Sequence, residues 1–249
     1  MLLLISQFSN FDNIHKLLDS INWNIADLIL VNQSSEDFTF DLAHVLNVKE
    51  LMSLSSSRNM ALYYANKALD INAYTHIMFP DDDAYFLADF WVLYKDLDHT
   101  KSYVLNVLYR DELFFRPINY LNTWKNVMSS NLMIKTSIED KIFFREDLGV
   151  GTVNGSGEDI DFFWRYMSSA SFIETACICH PFSRKNVKSL DLQKHDKYFK
   201  GHIYLLKVHK KRYLLLFSFL RPIIEILSLK DVCINSQIVR RRLRILIND

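Results

Sequence analysis

The first 31 residues already restrict the architecture. Leu2–Ser6 is a short apolar run that ends in polar residues. Ile14, Leu17, Leu18 and Ile21 then recur at helical spacing across Phe11–Ile21. Ala26–Val31 is a second apolar run, stopped by the turn formers Asn32-Gln33-Ser34-Ser35. Strand, helix, strand in so short a stretch is a βαβ unit and predicts a parallel sheet.

The alternation continues downstream. Met60, Ala61, Tyr64, Ala65 and Ala68 form a helical stripe over Ser57–Leu69, with Ser55 to Ser57 as candidate caps. Tyr74–Phe79 reads as a strand closed by Pro80, Leu87–Leu97 as a helix and Ser102–Tyr109 as a strand. Asn131–Thr136 and Phe172–Cys179 are further strands, with a helix from Glu158 to Ser168 between them. No repeat, low-complexity segment or Pro/Gly-rich linker interrupts the pattern. The expectation is one α/β domain over residues 1–185, followed by a basic, largely helical extension over 186–249.

With 49% hydrophobic and 14% aromatic residues, the chain has ample material for a core, which argues against disorder. Charge is balanced overall but unevenly placed. From Lys194 onward there are 13 Lys/Arg against 4 Asp/Glu, and the preceding residues carry 16 against 25. A basic tail on an acidic body points to an anionic partner for the tail. The three cysteines, Cys177, Cys179 and Cys233, are too few for a disulfide framework and indicate a reducing compartment. Cys177, Cys179 and His180 lack a second Cys/His pair to complete a zinc site. The apolar start Met1–Ile5 has no basic leader or cleavage site, and no run of about 18 apolar residues occurs. A cytoplasmic location is expected.

Chemistry concentrates in three segments. Thr75–Phe79 delivers Pro80-Asp81-Asp82-Asp83 at the C-terminal end of a strand, where open α/β sheets bind ligands. Three adjacent carboxylates repel unless a cation neutralises them, and hard oxygen donors suit Mg²⁺ or Mn²⁺. A solvated acidic turn capping the next helix is the other reading. Four of the five glycines, Gly149, Gly151, Gly155 and Gly157, lead straight into Glu158-Asp159-Ile160-Asp161. A carboxylate at a helix start beside such a loop can act as general base, or simply complement the helix dipole. Ser55-Ser56-Ser57-Arg58-Asn59 opens a helix with hydroxyls, amides and a guanidinium, which suits a phosphate or base edge as well as a plain surface cap.

Ser57-Arg58-Asn59 with Ala61, Phe79-Pro80-Asp81-Asp82-Asp83, and Gly155-Ser156-Gly157-Glu158-Asp159 with Asp161 and Arg165 together resemble the family 2 glycosyltransferases. Their order and spacing follow that family from the first strand to about His180. The resemblance implies a GT-A-like, Rossmann-type fold: a mixed, mostly parallel sheet flanked by helices, here with a C-terminal helical extension. It also implies inverting transfer of a sugar from a nucleotide diphosphate sugar donor to a glycan or lipid-linked glycan acceptor, in bacterial capsule, O-antigen or related glycan synthesis.

By the same resemblance Asp83 binds Mn²⁺ or Mg²⁺, joined by Asp81 and by His180. Ser6, Asn32, Arg58, Asp81 and Asp82 contact the nucleotide sugar. Asp159 is the base and Glu158 positions the acceptor. One departure stands out: the second strand ends in Val31-Asn32-Gln33 where the family usually has a base-reading aspartate. Lys197-Tyr198-Phe199-Lys200-Gly201 is similar to a segment that follows the catalytic region in bacterial polysaccharide members.

The tail alternates cations with apolar runs. Lys207, Lys210, Lys211 and Arg212 precede Tyr213–Phe217; Arg221-Pro222 precedes Ile223–Leu227; Arg240-Arg241-Arg242-Leu243-Arg244 lies near the end. Peripheral attachment to an anionic inner membrane face is one expectation, and helices packed on the main domain the other. Nucleic acid is not expected as a partner, because the tail aromatics sit within apolar runs. A different metal-dependent nucleotide enzyme, such as a nucleotidyltransferase, is the competing enzyme class. Ser6-Gln7-Phe8-Ser9-Asn10 lacks the Gly/Lys-rich loop such an enzyme would carry after its first strand.

Overall fold

The computed structural model describes residues 1–109, 112–114, 127–137, 141–181, 192–210, 223 and 232–248. Nine strands form one sheet: β1 (Leu2–Phe8), β2 (Ala26–Asn32), β3 (Ala43–Asn47), β4 (His76–Met78), β5 (Tyr85–Phe86), β6 (Tyr103–Tyr109), β7 (Glu112–Phe114), β8 (Leu132–Lys135) and β9 (Ser171–His180). The order is β3-β2-β1-β4-β8-β6-β9-β5, with β7 hairpinned onto β6. Among the described residues the helices are α1 (Phe11–Ser20), α2 (Leu54–Ala68), α3 (Ala88–Lys95), α4 (Glu158–Tyr166), α5 (Leu192–Val208) and α6 (Val232–Asn248).

The βαβ expectation holds: β1 and β2 pair in parallel from Leu2↔Ala26 to Phe8↔Asn32. Successive side chains on a strand point to opposite faces, so an apolar run without alternation requires cover on both sides. Leu2 and Leu4 join one core with α1 and α3 residues such as Ile14, Leu17 and Phe90. Leu3 and Ile5 join a second core with Ala61, Leu62 and Ala65 of α2 and Phe162 and Phe163 of α4.

The long ladders are the parallel ones, β1–β2, β2–β3 and β6–β9. β8 is inserted antiparallel between β4 and β6, with Met78↔Met133 and Val104↔Leu132 in register. Strand β4 is shorter than the expected 74–79, because Phe79-Pro80 leaves the ladder to form the turn that bears the aspartates. The cap of α2 also falls earlier than expected. Ser53 Oγ accepts from Ser56 N at 3.1 Å, and Ser55 and Ser57 lie inside the helix, buried.

The basic extension is present as α5 and α6, which pack against each other. Leu205 of α5 is fully buried with Leu148 and Ile160 of the body. The expected domain boundary at 185/186 lies outside the described residues, as do Lys211, Arg212, Tyr213–Phe217, Arg221-Pro222 and Ile224–Leu227 of the tail. No helix among the described residues is long and apolar enough to cross a membrane.

Candidate active site

The acidic segment after β4 and the one that opens α4 meet at one buried cation. Arg58, on the first turns of α2, is 3% exposed. Its Nη1 lies 3.3 Å from Asp159 Oδ1, and its Nη2 lies 3.5 Å from Asp81 Oδ1. Nη2 also donates to Ser129 Oγ. The guanidinium sits 5.0 Å from the centroid of Phe144. Phe144 stacks on Phe162 at 4.4 Å and meets the edge of Phe79 at 4.8 Å. A single aromatic cluster therefore ties α2, the end of β4, the 141–148 segment and α4 together beneath the two acidic segments.

Asp81 accepts from Ser130 Oγ at 2.6 Å and has His180 Nε2 at 3.6 Å. Burial opposes its ionisation, but the His180 hydrogen bond, the Arg58 charge and Ser130 outweigh that and hold it below the usual carboxylate range. Asp82 is pushed up to about 6 by burial and by the charges of Asp83 and Asp81. Asp83 is raised by burial, with His180 opposing and Asp81 adding to the rise. His180, at the end of β9, lies 3.4 Å from Asp83 Oδ1. Burial would lower it, yet the hydrogen bond to Asp81 and the charges of Asp83, Asp81 and Asp82 leave it raised. Asp81, Asp83 and His180 are thus brought together as the sequence expected. Among the described residues, however, no three His, Cys, Asp or Glu side chains form a ready-made cation site. His180 is turned onto the two aspartates as their ion-pair partner.

The glycine-rich loop explains how Glu158 is housed. Gly149 has φ +102°, and a Cβ there would come within 2.9 Å of Glu158 Cδ and 3.1 Å of Ser55 Oγ. Gly157 caps α4 in the left-handed region, φ 100°, without a side-chain hydrogen bond. Glu158 is buried, and burial together with the Asp159 charge pushes it up to about 8, with Arg58 opposing. Burial also raises Asp159, and again Arg58 opposes the rise. Of the expected pair, Glu158 therefore favours the neutral acid at pH 7, and Asp159, itself raised by burial, is the member that faces a guanidinium.

Two expected nucleotide contacts fare differently. Ser6, at the end of β1, is 3% exposed, and neither its Oγ nor Gln7 Oε1 has a hydrogen-bond partner. The β1–β4 ladder ends at Leu4↔Met78, two residues before Ser6 on β1 and Pro80 after β4. Asn32 does not match its expectation. Its amide donates to Glu36 O and Asn47 Oδ1, both at 2.7 Å, and its carbonyl accepts from Ser34 N at 2.9 Å and Ser34 Oγ at 2.7 Å. Both amide hydrogens are taken and the carbonyl accepts from Ser34 N, so Asn32 shapes the 33–38 loop.

The sequence reading missed Ser129 and Ser130, which precede β8 and brace Arg58 and Asp81, and Phe144 beneath the guanidinium. It also missed the use of Asp161. That fully buried carboxylate accepts from Arg165 Nε at 2.8 Å and pairs with His209 at 2.8 Å, so it fastens α5 to α4. The fifth glycine, Gly201 on α5, completes the picture. A Cβ there would collide with the carbonyl oxygens of Asn154 and Ser156.

No protein-family model matches the sequence, and no curated protein matches it. Solved structures do match. The crystal structure of S. aureus TarS, a glycosyltransferase, superposes with a TM-score of 0.55 at 14% identity over 82% of this chain. The chain has a glycosyltransferase fold. It spans 43% of the length of that TarS chain. TarS 1–349 in complex with UDP gives 0.55 at 14% identity over 83% of this chain and 71% of that one. TarS 1–349 in complex with UDP-GlcNAc gives 0.54 at 13%, over 83% and 72%.

Proposed function

We propose that this chain is an inverting glycosyltransferase that moves a sugar from a nucleoside diphosphate donor to an acceptor hydroxyl in the synthesis of a bacterial surface glycan. The observation that carries the reading is the shared guanidinium: Arg58 holds Asp81 of one acidic segment and Asp159 of the other, 23 and 101 residues away in sequence. Such transfer needs two separate acidic groups, one near the leaving diphosphate and one facing the attacking hydroxyl. Ser6 Oγ and Gln7 Oε1, at the end of β1, have no hydrogen-bond partner among the described residues, which suits a ligand that supplies one. Solved neighbours of the same fold hold UDP and UDP-GlcNAc.

In the proposed reaction the acceptor oxygen attacks the anomeric carbon, and the carbon–oxygen bond to the diphosphate breaks with its electron pair leaving on the phosphate. One displacement inverts the anomeric centre. Asp159 takes the acceptor proton, and the Arg58 charge opposes the burial that favours its neutral form. Glu158, neutral at pH 7, donates a hydrogen bond that orients the acceptor. Asp83, Asp81 and His180 fit Mg²⁺ or Mn²⁺ in donor chemistry; burial raises Asp82 and Asp83, neighbouring carboxylate charge adds to the rise, and a cation would relieve that charge. Such an ion would stabilise the charge on the departing diphosphate.

A thermal-shift panel of nucleoside diphosphates with and without Mn²⁺ tests the reading. Metal-dependent stabilisation by one of them is expected, about 2.7 kcal/mol at a hundred times Kd, and none by any of them removes the proposal. Asp159→Asn is expected to keep donor binding and lose transfer, and Asp83→Asn to weaken metal-dependent donor binding. Full transfer in Asp159→Asn removes it as base.

Membrane contact through the tail, as part of the same proposal, rests on one face of α6. Arg240, Leu243, Arg244 and Ile247 are exposed at helical spacing. Sedimentation with anionic vesicles is expected to fall in Leu243→Ser/Ile247→Ser; unchanged sedimentation ends that part of the reading.

A further inference from the structure

A cavity of about 650 Å³ opens between the 151–153 turn of the glycine-rich loop and the two C-terminal helices. Asp196, Lys197, Lys200, Arg244 and Ile245 form its helical walls. Its one carboxylate, Asp196, is clasped by Arg241 Nε, 2.9 Å from each oxygen, and contributes little free negative charge. Lys197 and Lys200 lie one turn apart on α5, and Arg244 faces them from α6. Among the described residues, none of these three cations has an ion-pair or hydrogen-bond partner. Three unpaired cations from two helices converging on one hollow make a local positive potential that an anion relieves.

The cavity is fixed relative to the acidic site. Gly155 packs so closely on Lys197 that a Cβ there would come within 2.8 Å of the Lys197 Cβ, and Ser156 Oγ donates to Tyr198 O at 2.9 Å. The loop wall of the cavity continues directly into Glu158 and Asp159. Five residues lie between Val153 and Asp159, so their Cα atoms are at most about 20 Å apart.

We propose that this cavity binds a phosphate group of the acceptor, as a phosphodiester or diphosphate, while the acceptor's sugar hydroxyl reaches Asp159. This assignment rests on the transferase reading above and adds to it the chemical class of acceptor. Lys197, Lys200 and Arg244 supply the charge and Thr152 lines the loop side.

Calorimetry of the full chain with inorganic pyrophosphate, in the presence of saturating UDP, tests it. The wild type is expected to bind, and Lys197→Ala/Lys200→Ala to bind about tenfold more weakly. Both lysines are exposed, and unchanged UDP stabilisation in the variant confirms that its fold and donor site are intact. Lys16→Ala/Lys95→Ala removes the same charge elsewhere on the surface and is expected to bind as the wild type does. In transfer assays the variant is expected to raise KM for a phosphodiester-bearing acceptor, or for a diphosphate-linked one in vesicles, whichever is the substrate, and to leave KM for the donor unchanged.

Equal weakening in the two double variants, or no pyrophosphate binding beside saturating UDP, overturns the assignment while the transferase reading stands. If the variant loses only phosphatidylglycerol vesicle binding and never bound pyrophosphate, the cavity faces a bilayer and the acceptor assignment falls. Failure of every nucleoside diphosphate in the panel to stabilise the chain would instead remove the transferase reading.

Discussion

Arg58 shows how much one side chain carries here. It is buried, and its two carboxylate partners are about a quarter to a third exposed. Removing one member of a buried ion pair costs about 3–5 kcal/mol, and the partial wetting of Asp81 and Asp159 places Arg58→Met near the low end, about 3 kcal/mol by urea denaturation. Arg58→Lys is expected to recover little, because a single ammonium cannot span both partners. A loss below about 1 kcal/mol would show that the bridge is incidental.

Glu158 makes a second prediction at the same scale. Its folded pKa lies above its ordinary value of 4.5, so the folded state binds more protons and stability falls as pH rises from about 4.5 through about 8. Glu158→Gln is expected to flatten that fall in chemical denaturation curves recorded across the window, and an unaltered slope would place the titration elsewhere. The residue types of the site were legible in sequence because carboxylates and glycines cluster in so glycine-poor a chain. Their bonding was not. Whether Asn32 is free or saturated depends on Asn47 and Glu36, which only the folded 33–47 segment brings to it.

At the scale of elements, what could be read was what has a period. β1, α1, β2 and β9 bury enough apolar residues to be evident. β3, Ala43–Asn47, is an edge strand with no fully buried side chain, and β5 has only two residues, so neither left a pattern. The direction of β8 was also hidden, since an apolar run such as Leu132–Ile134 serves either orientation in a sheet buried on both faces. Helix α5 reads from sequence as a basic segment, yet it docks by a small-residue contact. Gly201→Ala is therefore expected to push α5 off the 154–156 carbonyls, at a cost of about 1–3 kcal/mol by thermal melting. It should also expose the loop to limited proteolysis. Wild-type melting and cleavage would refute that close approach.

For the molecule as a whole, the charge contrast between acidic body and basic tail resolves into specific joints. His209 on Asp161 and Leu205 against Leu148 and Ile160 insert the tail into the body. A chain ending near residue 190 is accordingly expected to melt lower and aggregate, since it uncovers an apolar cluster and leaves the buried Asp161 with one hydrogen-bond partner fewer. Equal melting temperatures would show that the tail is an independent appendage.

The shared guanidinium has a further consequence at this scale. Arg58 answers to two rivals, so whatever draws Asp81 toward another positive charge loosens one arm and tightens the other on Asp159. Ligands at the two ends must then influence each other reciprocally: the factor by which a first changes the affinity of a second equals the factor by which the second changes the first.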